Sequence, residues 1–402
     1  MVAGNLIYSN MAIQAGIGIS DKPDPVAAGK DAVKQALDDV AKPDVFIVFS
    51  SVNYLQQQLI SGVKERAGNV PVIGCSDAGE ITSFGTTRGC VAVMAIASNT
   101  IQFTLGLGSK ILDSSQRAGE ALALDIKAKE KKTISSLIIF SDIITGNGNE
   151  ILRGLQDELD EKVLIIGGTA GDDFLFRESY VYHNDKALPS QIVGLGLAGE
   201  YTIGVGVRHG WTPIGLPVTV TRSHGAIVEE LDKKPAVIFY EEHFGMKAQD
   251  MVKDSFARLA ITYPLGMKLA GSDEFLIRYP MDIRSDGAIR FTAGIPMGSE
   301  VRLMLGSKDE AIKASEYATQ SAKMQLKDKP PKLALVFSSI AREKLLAQNA
   351  NEEIKAIQAI IGKDVPLVGH YTYGEFAPAL DNTKSNRSYF HNETVVIVLI
   401  AE

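Results

Sequence analysis

The residues best suited to chemistry cluster in "VPVIGCSDAGEI" (70–81), where an apolar run ends in Gly74. The turn beyond it carries the thiol of Cys75, the hydroxyl of Ser76 and the carboxylates of Asp77 and Glu80. "VPLVGHYTYGEF" (365–376) keeps the apolar run, the first glycine and the closing Gly374-Glu375, and puts His370 where Cys75 stands. If the two halves of the chain are related by a pseudo-dyad, a thiol and an imidazole face one site, the minimum for a cysteine nucleophile. A Cys-dependent small-molecule hydrolase or racemase-like enzyme using Cys75 and His370 is therefore one reading. Against it, the sequence names no third group to orient the imidazole, and cysteine is commonly a small buried hydrophobe. The acids offer a second reading. Glu80, Asp172 and Glu375 close similar glycine turns, where each either caps local backbone N–H groups or receives a cationic group such as the amine of a small zwitterion.

Ser50, Ser51, Ser141, Ser338 and Ser339 end apolar runs that read as parallel strands, the edge at which open α/β sheets place ligands. Arg342 follows closely, and its guanidinium fork suits a carboxylate. Other motifs carry less. Gly194, Gly196 and Gly199 fit G-x-G-x-x-G, but an alternating strand pattern follows them where a dinucleotide site needs a helix. "GNGNE" (146–150) opens a helix with Asn149 as its expected N-cap, and exposed N–H groups there suit an anion. The six histidines show no H-x-x-x-H pair and no nearby cysteine partner, so no metal site is expected. No cofactor is expected either.

Three segments share a plan that positions these residues: an apolar strand ending in Phe-Ser, an amphipathic helical stretch, and a second apolar strand ending at a glycine turn. They are "DVFIVFSS" to "VPVIGCSDAGE", "SSLIIFSD" to "VLIIGGTAGD", and "LALVFSSIAR" to "VPLVGHYTYGE". Each reads as a β-α-β crossover, which makes its strands parallel and gathers their ends on one edge. "RGCVAVMAIASNTIQFTLGLG", "SQIVGLGLAGEYTIGVGVRHG" and the stretch around "RSDGAIRF" have the pattern of hairpins, so the sheets are expected to be mixed. Further helices fit 24–40, with Asp24 as N-cap and Pro25 in the first turn, and 308–329. A boundary fits the Gly- and Pro-punctuated stretch near residue 222, giving domains 1–222 and 223–402.

With 402 residues, 45% hydrophobic and 22% charged, the chain suits a globular protein of two α/β domains. Its net charge of -7, without clustered Lys and Arg, argues against nucleic acid as a partner. The longest apolar runs fall short of the roughly 20 residues that span a bilayer, so no membrane insertion is expected. The first twenty residues lack a basic region ahead of an apolar block and do not read as a signal peptide. Two cysteines make no disulfide framework, and the cytoplasm is the expected location.

"VFIVFSS … VPVIGCSDAGEI" resembles the N-terminal FIST domain (F-box and intracellular signal transduction proteins). "WTPIGLPVTVTRSHGAIVEELDKKPAVIFYEEHFG", with "LALVFSSIAREKLL", "VPLVGHYTYGEFAPAL" and "HNETVVIVL", resembles the C-terminal FIST domain. The similarity runs from about Val45 to Leu399. Where the family's third unit has a Ser-Cys pair before the Arg, this chain has Ser338-Ser339. The resemblance implies a sensory module of intracellular signalling that binds a small polar ligand such as an amino acid, with output through a separate partner. The expected fold is two mixed-sheet α/β domains of related β-α-β units and hairpins, with a layered α/β/β/α sandwich as one way to close them. The expected ligand site comprises Ser51, Cys75, Ser76, Glu80, Ser339, Arg342, His370, Tyr371, Tyr373 and Glu375. In it Glu80 or Glu375 takes an ammonium, Arg342 a carboxylate, and Tyr371 or Tyr373 shapes the wall.

Overall fold

The computed structural model describes residues 13–247, 250, 259–269, 274–379 and 386–402. Of the opening stretch tested for a signal peptide, residues 13–20 are a strand and the rest lies outside the described residues.

The chain is built from three copies of one unit. The first contains β1 (Ile13–Ser20), α1 (Pro25–Asp39), β2 (Val45–Ser51), α2 (Gln56–Ala67), β3 (Val72–Asp77), β4 (Glu80–Thr82), β5 (Gly85–Thr87) and β6 (Val91–Ser98). The second repeats the order as β7 (Ile101–Gly108), α3 (Ser115–Lys129), β8 (Ser136–Ser141), α4 (Gly148–Glu158), β9 (Leu164–Thr169), β10 (Tyr180–His183), β11 (Lys186–Pro189) and β12 (Ile192–Gly199). The third opens with β13 (Thr202–Arg208) and is interrupted by an insertion. The insertion holds β14 (Trp211–His224), β15 (Ile227–Leu231), β16 (Lys234–Pro235), α5 (Ala236–Phe244), β17 (Leu265–Lys268), β18 (Phe275–Arg278), β19 (Pro280–Ile283), β20 (Ile289–Phe291) and β21 (Glu300–Gly306). The third unit then resumes with α6 (Lys308–Gln325), β22 (Leu333–Ser339), α7 (Ile340–Leu346), α8 (Ala350–Ile361), β23 (Leu367–Thr372), β24 (Glu375–Pro378), β25 (Ser388–His391) and β26 (Val395–Ala401).

The units exchange strands in a cycle. The three six-stranded sheets run β1-β6-β2-β3-β10-β11, β7-β12-β8-β9-β24-β25 and β13-β26-β22-β23-β4-β5. Each takes four strands from its own unit and a two-stranded ribbon from a neighbour, so the topology has a pseudo-threefold. β2/β3, β8/β9 and β22/β23 are the expected parallel pairs. Gly74, Gly167 and Gly369 allow the close approach of each pair: a Cβ there would lie 1.8, 2.0 and 1.9 Å from the carbonyl oxygens of Val48, Ile139 and Val336.

The inner faces of all three sheets meet in one core that includes Phe49, Cys75, Ile138, Phe140, Leu335 and Phe337. Their outer faces are covered by α1 and α2, α3 and α4, and α6 and α8. The insertion has its own core around Val220, Tyr240, Phe291 and Leu303. The mixed α/β architecture of related β-α-β units is thus present.

The helices expected from periodicity form, with Asp24 capping α1 through Ala27 N at 2.7 Å. Helix α4 is capped by Asn147, whose Oδ1 accepts from Asn149 N and Glu150 N at 3.0 and 3.3 Å, and not by Asn149. The N–H groups considered for an anion are therefore partly used. Two expected hairpins are also corrected. β6 and β7 are adjacent in sequence but lie in different sheets, as do β12 and β13, because these junctions join successive units. The third expected hairpin is present as β19 and β20.

Candidate functional site at the strand ends

The unit register decides which side chains are equivalent. Phe49, Phe140 and Phe337 sit opposite Cys75, Gly168 and His370 in the three parallel pairs. The residue that each exchanged strand sets against this row then differs from the one that sequence similarity suggests. Glu80 pairs with His370, Glu375 with Gly168, and Val181 with Cys75, so the structural counterpart of the two glutamates is Val181 and not Asp172.

Cys75 and His370 do meet, with Sγ 3.5 Å from Nε2, but inside the common core. The imidazole stacks on Phe49 with centroids 4.3 Å apart and has the edges of Phe140 and Phe337 beside it. Both residues are fully buried. Burial pushes the thiol well above its usual range and lowers the imidazole to about 3, so thiolate and imidazolium are both disfavoured. His370 Nε2 also lies 3.2 Å from Thr169 O, while its Nδ1 has no hydrogen-bond partner.

The two glutamates are engaged locally. Glu80 accepts from Cys90 N at 3.0 Å and Thr87 Oγ1 at 2.9 Å. Glu375 accepts from Thr394 N and Thr394 Oγ1 at 3.2 and 2.6 Å and from Thr372 Oγ1. In both units the carboxylate ties down the residue just before the returning strand. Arg342 is fully buried, with Nε and Nη2 at 3.1 and 2.6 Å from Glu353 Oε1. Its Nη2 also donates to Ala311 O and Ser315 Oγ, both at 2.7 Å, and Nη1 to His209 O. Ser339 caps α7 through Ala341 N at 3.4 Å.

Ser51, Ser76, Glu80, Tyr371 and Tyr373 gather at the ends of β2 and β3, and Asp77, an acid of the opening motif that the expected ligand site leaves out, stands at their centre. Its Oδ1 accepts from Gly79 N at 3.0 Å, whereas Oδ2 is buried with no partner. Burial first, then the charge of Glu80, push this carboxyl well above its usual range. Tyr371 bonds along the same turn, N to Gly79 O at 2.8 Å, and its buried hydroxyl also lacks a partner. Beyond the turn stands Arg88, half-exposed and 2.7 Å from Glu343.

The longer turn of the second unit closes over this edge. Asp173, Phe174 and Phe176 have φ of 55°, 68° and 53°, the left-handed region that costs residues with side chains about 1–2 kcal/mol each. Asp172 holds the loop by accepting from Phe176 N at 2.8 Å, Glu178 N at 3.1 Å and Arg177 N at 2.6 Å. Tyr373 donates its hydroxyl to Asp172 and stacks on Phe176 at 4.5 Å. Asp173 Oδ2 accepts from Ser51 Oγ at 3.2 Å, and Ser76 Oγ donates to Gly171 O at 2.7 Å. Such a site is suited to receiving a cationic or hydrogen-bonding group, not to nucleophilic attack. Asp77 was visible as an acid at a strand end, and Glu353 as a charge on the apolar face of α8 with Ile354 and Ile357.

The FIST N domain matches residues 44–234 and the FIST C domain residues 236–378. The chain therefore belongs to the FIST family, whose domains are associated with sensory roles in signal transduction. An uncharacterized protein of Mycobacterium tuberculosis is 24% identical over 375 residues, covering 91% of this chain and 95% of its own. One of Mycobacterium bovis is 23% identical over 403 residues, covering 97% and 99%. An uncharacterized protein of Methanocaldococcus jannaschii is 24% identical over 261 residues, covering 60% and 50%. Among solved structures, cyanuric acid hydrolase from A. caulinodans gives a TM-score of 0.36 at 8% identity, covering 97% of this chain and 99% of that one. PurLQS from Thermotoga maritima gives 0.22 at 8%, covering 97% and 72%. Both scores are too low to relate the folds. Among the described residues, no helix is long and apolar enough to cross a membrane.

Proposed function

We propose that this protein is a sensor that binds a small amino-acid-like ligand at the ends of β2 and β3. The observation that supports this is the pair of unpartnered buried polar atoms, Asp77 Oδ2 and Tyr371 Oη, beneath a strained loop. A buried polar group without a partner is costly, and a ligand ammonium would give Asp77 Oδ2 the partner it lacks. Arg88 would receive the ligand carboxylate, a role that the closed Arg342–Glu353 pair leaves open. Ser51, Ser76, Glu80 and Tyr373 frame the site, and movement of the 172–178 loop would carry the signal to a separate protein. The two free cysteines fit a reducing compartment, so the cytoplasm is the proposed location.

A thermal-shift screen across amino acids and small acids tests this. A ligand at 100 times its Kd adds about 2.7 kcal/mol, and Asp77→Asn should abolish the shift. No shift with any compound, or equal shifts in parent and variant, would sink the proposal.

A further inference from the structure

We infer that Glu393 is a second receptor site, in the seam between the third unit and the insertion, for a protonated amine carrying an aromatic or apolar body. Glu393 lies in the turn between β25 and β26. The residues after this position, Cys90, Gln191 and Thr394, accept from Ser51 N, Asp142 N and Ser339 N at 3.0, 3.1 and 2.9 Å, which fixes the equivalence of Gly89, Ser190 and Glu393. All three are left-handed, with φ of 77°, 54° and 57°. The fold therefore needs only a left-handed residue here, which glycine supplies most easily. The third unit instead carries a long acid, and it is the unit that carries the insertion.

The Glu393 carboxylate is 1% exposed, and neither oxygen has a hydrogen-bond partner. An isolated buried carboxylate is among the costliest groups a fold can hold. The turn around it is pinned from the insertion side: Thr292 Oγ1 donates to Asn392 Oδ1 at 2.8 Å, and Arg278 Nη1 to Phe390 O at 3.2 Å. Four groups surround it electrically. Glu375 and Arg342 come from the third unit, and Tyr240 and Tyr279 from the insertion. Arg342 is already neutralised by Glu353, so none of these four groups offers Glu393 an uncommitted positive charge. That setting favours a cation over an anion, and the tyrosines suit an organic ammonium more than a hydrated metal ion. Tyr279 is half-buried and marks the outward side of the seam. Glu393 stands apart from the Asp77 site: it follows β25 in the sheet of β8 and β9, whereas Asp77 ends β3 in the sheet of β2, and either site can fail alone.

The test uses the full chain with benzylammonium as probe and benzyl alcohol as its neutral control, read as a shift in Tm. Benzylammonium should raise the Tm of the parent and of Asp77→Asn, and leave Glu393→Gln and Glu393→Gly unmoved; benzyl alcohol should shift none of them. Without ligand, both Glu393 variants should melt above the parent, because each removes the unpaired acid and the glycine also relieves the backbone. A benzylammonium shift that survives both variants, one lost with Asp77→Asn, no shift in the parent, or variants that melt below the parent would each overturn the assignment.

Discussion

At the scale of single residues, burial is the largest influence on the buried histidines and on Glu375. It holds the imidazoles of His370 and His209 at about 3 and that of His391 at about 4, against an ordinary 6.5. As pH falls below 6.5 the unfolded chain takes up protons there and the folded chain does not. Stability from these groups is therefore complete above 6.5 and is lost as pH falls through about 4 for His391 and about 3 for His370 and His209. Glu375 runs the other way. Burial pushes it up to about 8 against the pull of the Thr372 and Thr394 hydroxyls, so the folded chain keeps a proton that the unfolded chain has released. Stability from Glu375 is full below 4.5 and erodes as pH rises through 8. Glu375→Gln should consequently gain more Tm over the parent at about pH 9 than at about pH 5. Equal gains at both would mean that the three hydrogen bonds hold Glu375 ionised in the folded state.

At the scale of elements, the parallel pairs depend on glycines that no other residue can replace. Gly167 has φ of 150°, and a Cβ there would lie 2.0 Å from Ile139 O, a backbone atom held in the β8/β9 ladder. Strain and overlap add, so Gly167→Ala should cost roughly 3 kcal/mol or more. Gly68, at the end of α2, is also left-handed with φ of 61° but has nothing within 4 Å, so Gly68→Ala should cost only about 1–2 kcal/mol. Urea melts of the two variants check the contrast; similar losses would show that backbone strain alone sets the cost. The same elements mark how far the sequence could be read. Strands, the periodic helices and the three-unit plan were legible because each is fixed by local apolar spacing. The pairing of β6 and β7 was not, since two strands joined by a short turn look alike whether they share a sheet or cross between sheets. Asp172 was matched to Glu80 and Glu375 for a related reason. The turn residues are similar, but the second unit delays its exchange strand until Tyr180, and only the long-range register with Cys75 reveals it.

At the scale of the whole molecule, the cyclic exchange of strands binds the two family domains into one body. β4 and β5 lie in the N-terminal match but complete the sheet of β22 and β23, while β24 and β25 return to extend the sheet of β8 and β9. Cutting near residue 235, where the two matches meet, takes β24 from one side of β9 and β23 from one side of β4 and opens the common core, which loses Phe337 and Val368. The free outer edges are guarded by side chains: Gln35 accepts from Ile19 N at 3.2 Å, Asp125 from Leu107 N at 2.9 Å and Gln325 from Val205 N at 3.2 Å. No such guard exists for edges that the fold buries, and unpaired strands of that kind promote association. The fragment 1–234 should therefore show no cooperative melt of its own and should aggregate, while the full chain melts in one transition by calorimetry. A cooperative transition in the isolated fragment, with native-like near-ultraviolet circular dichroism, would mean that the exchanged ribbons are accessories to independent domains. Ligand binding would then have to act through a hinge and not through a shared core.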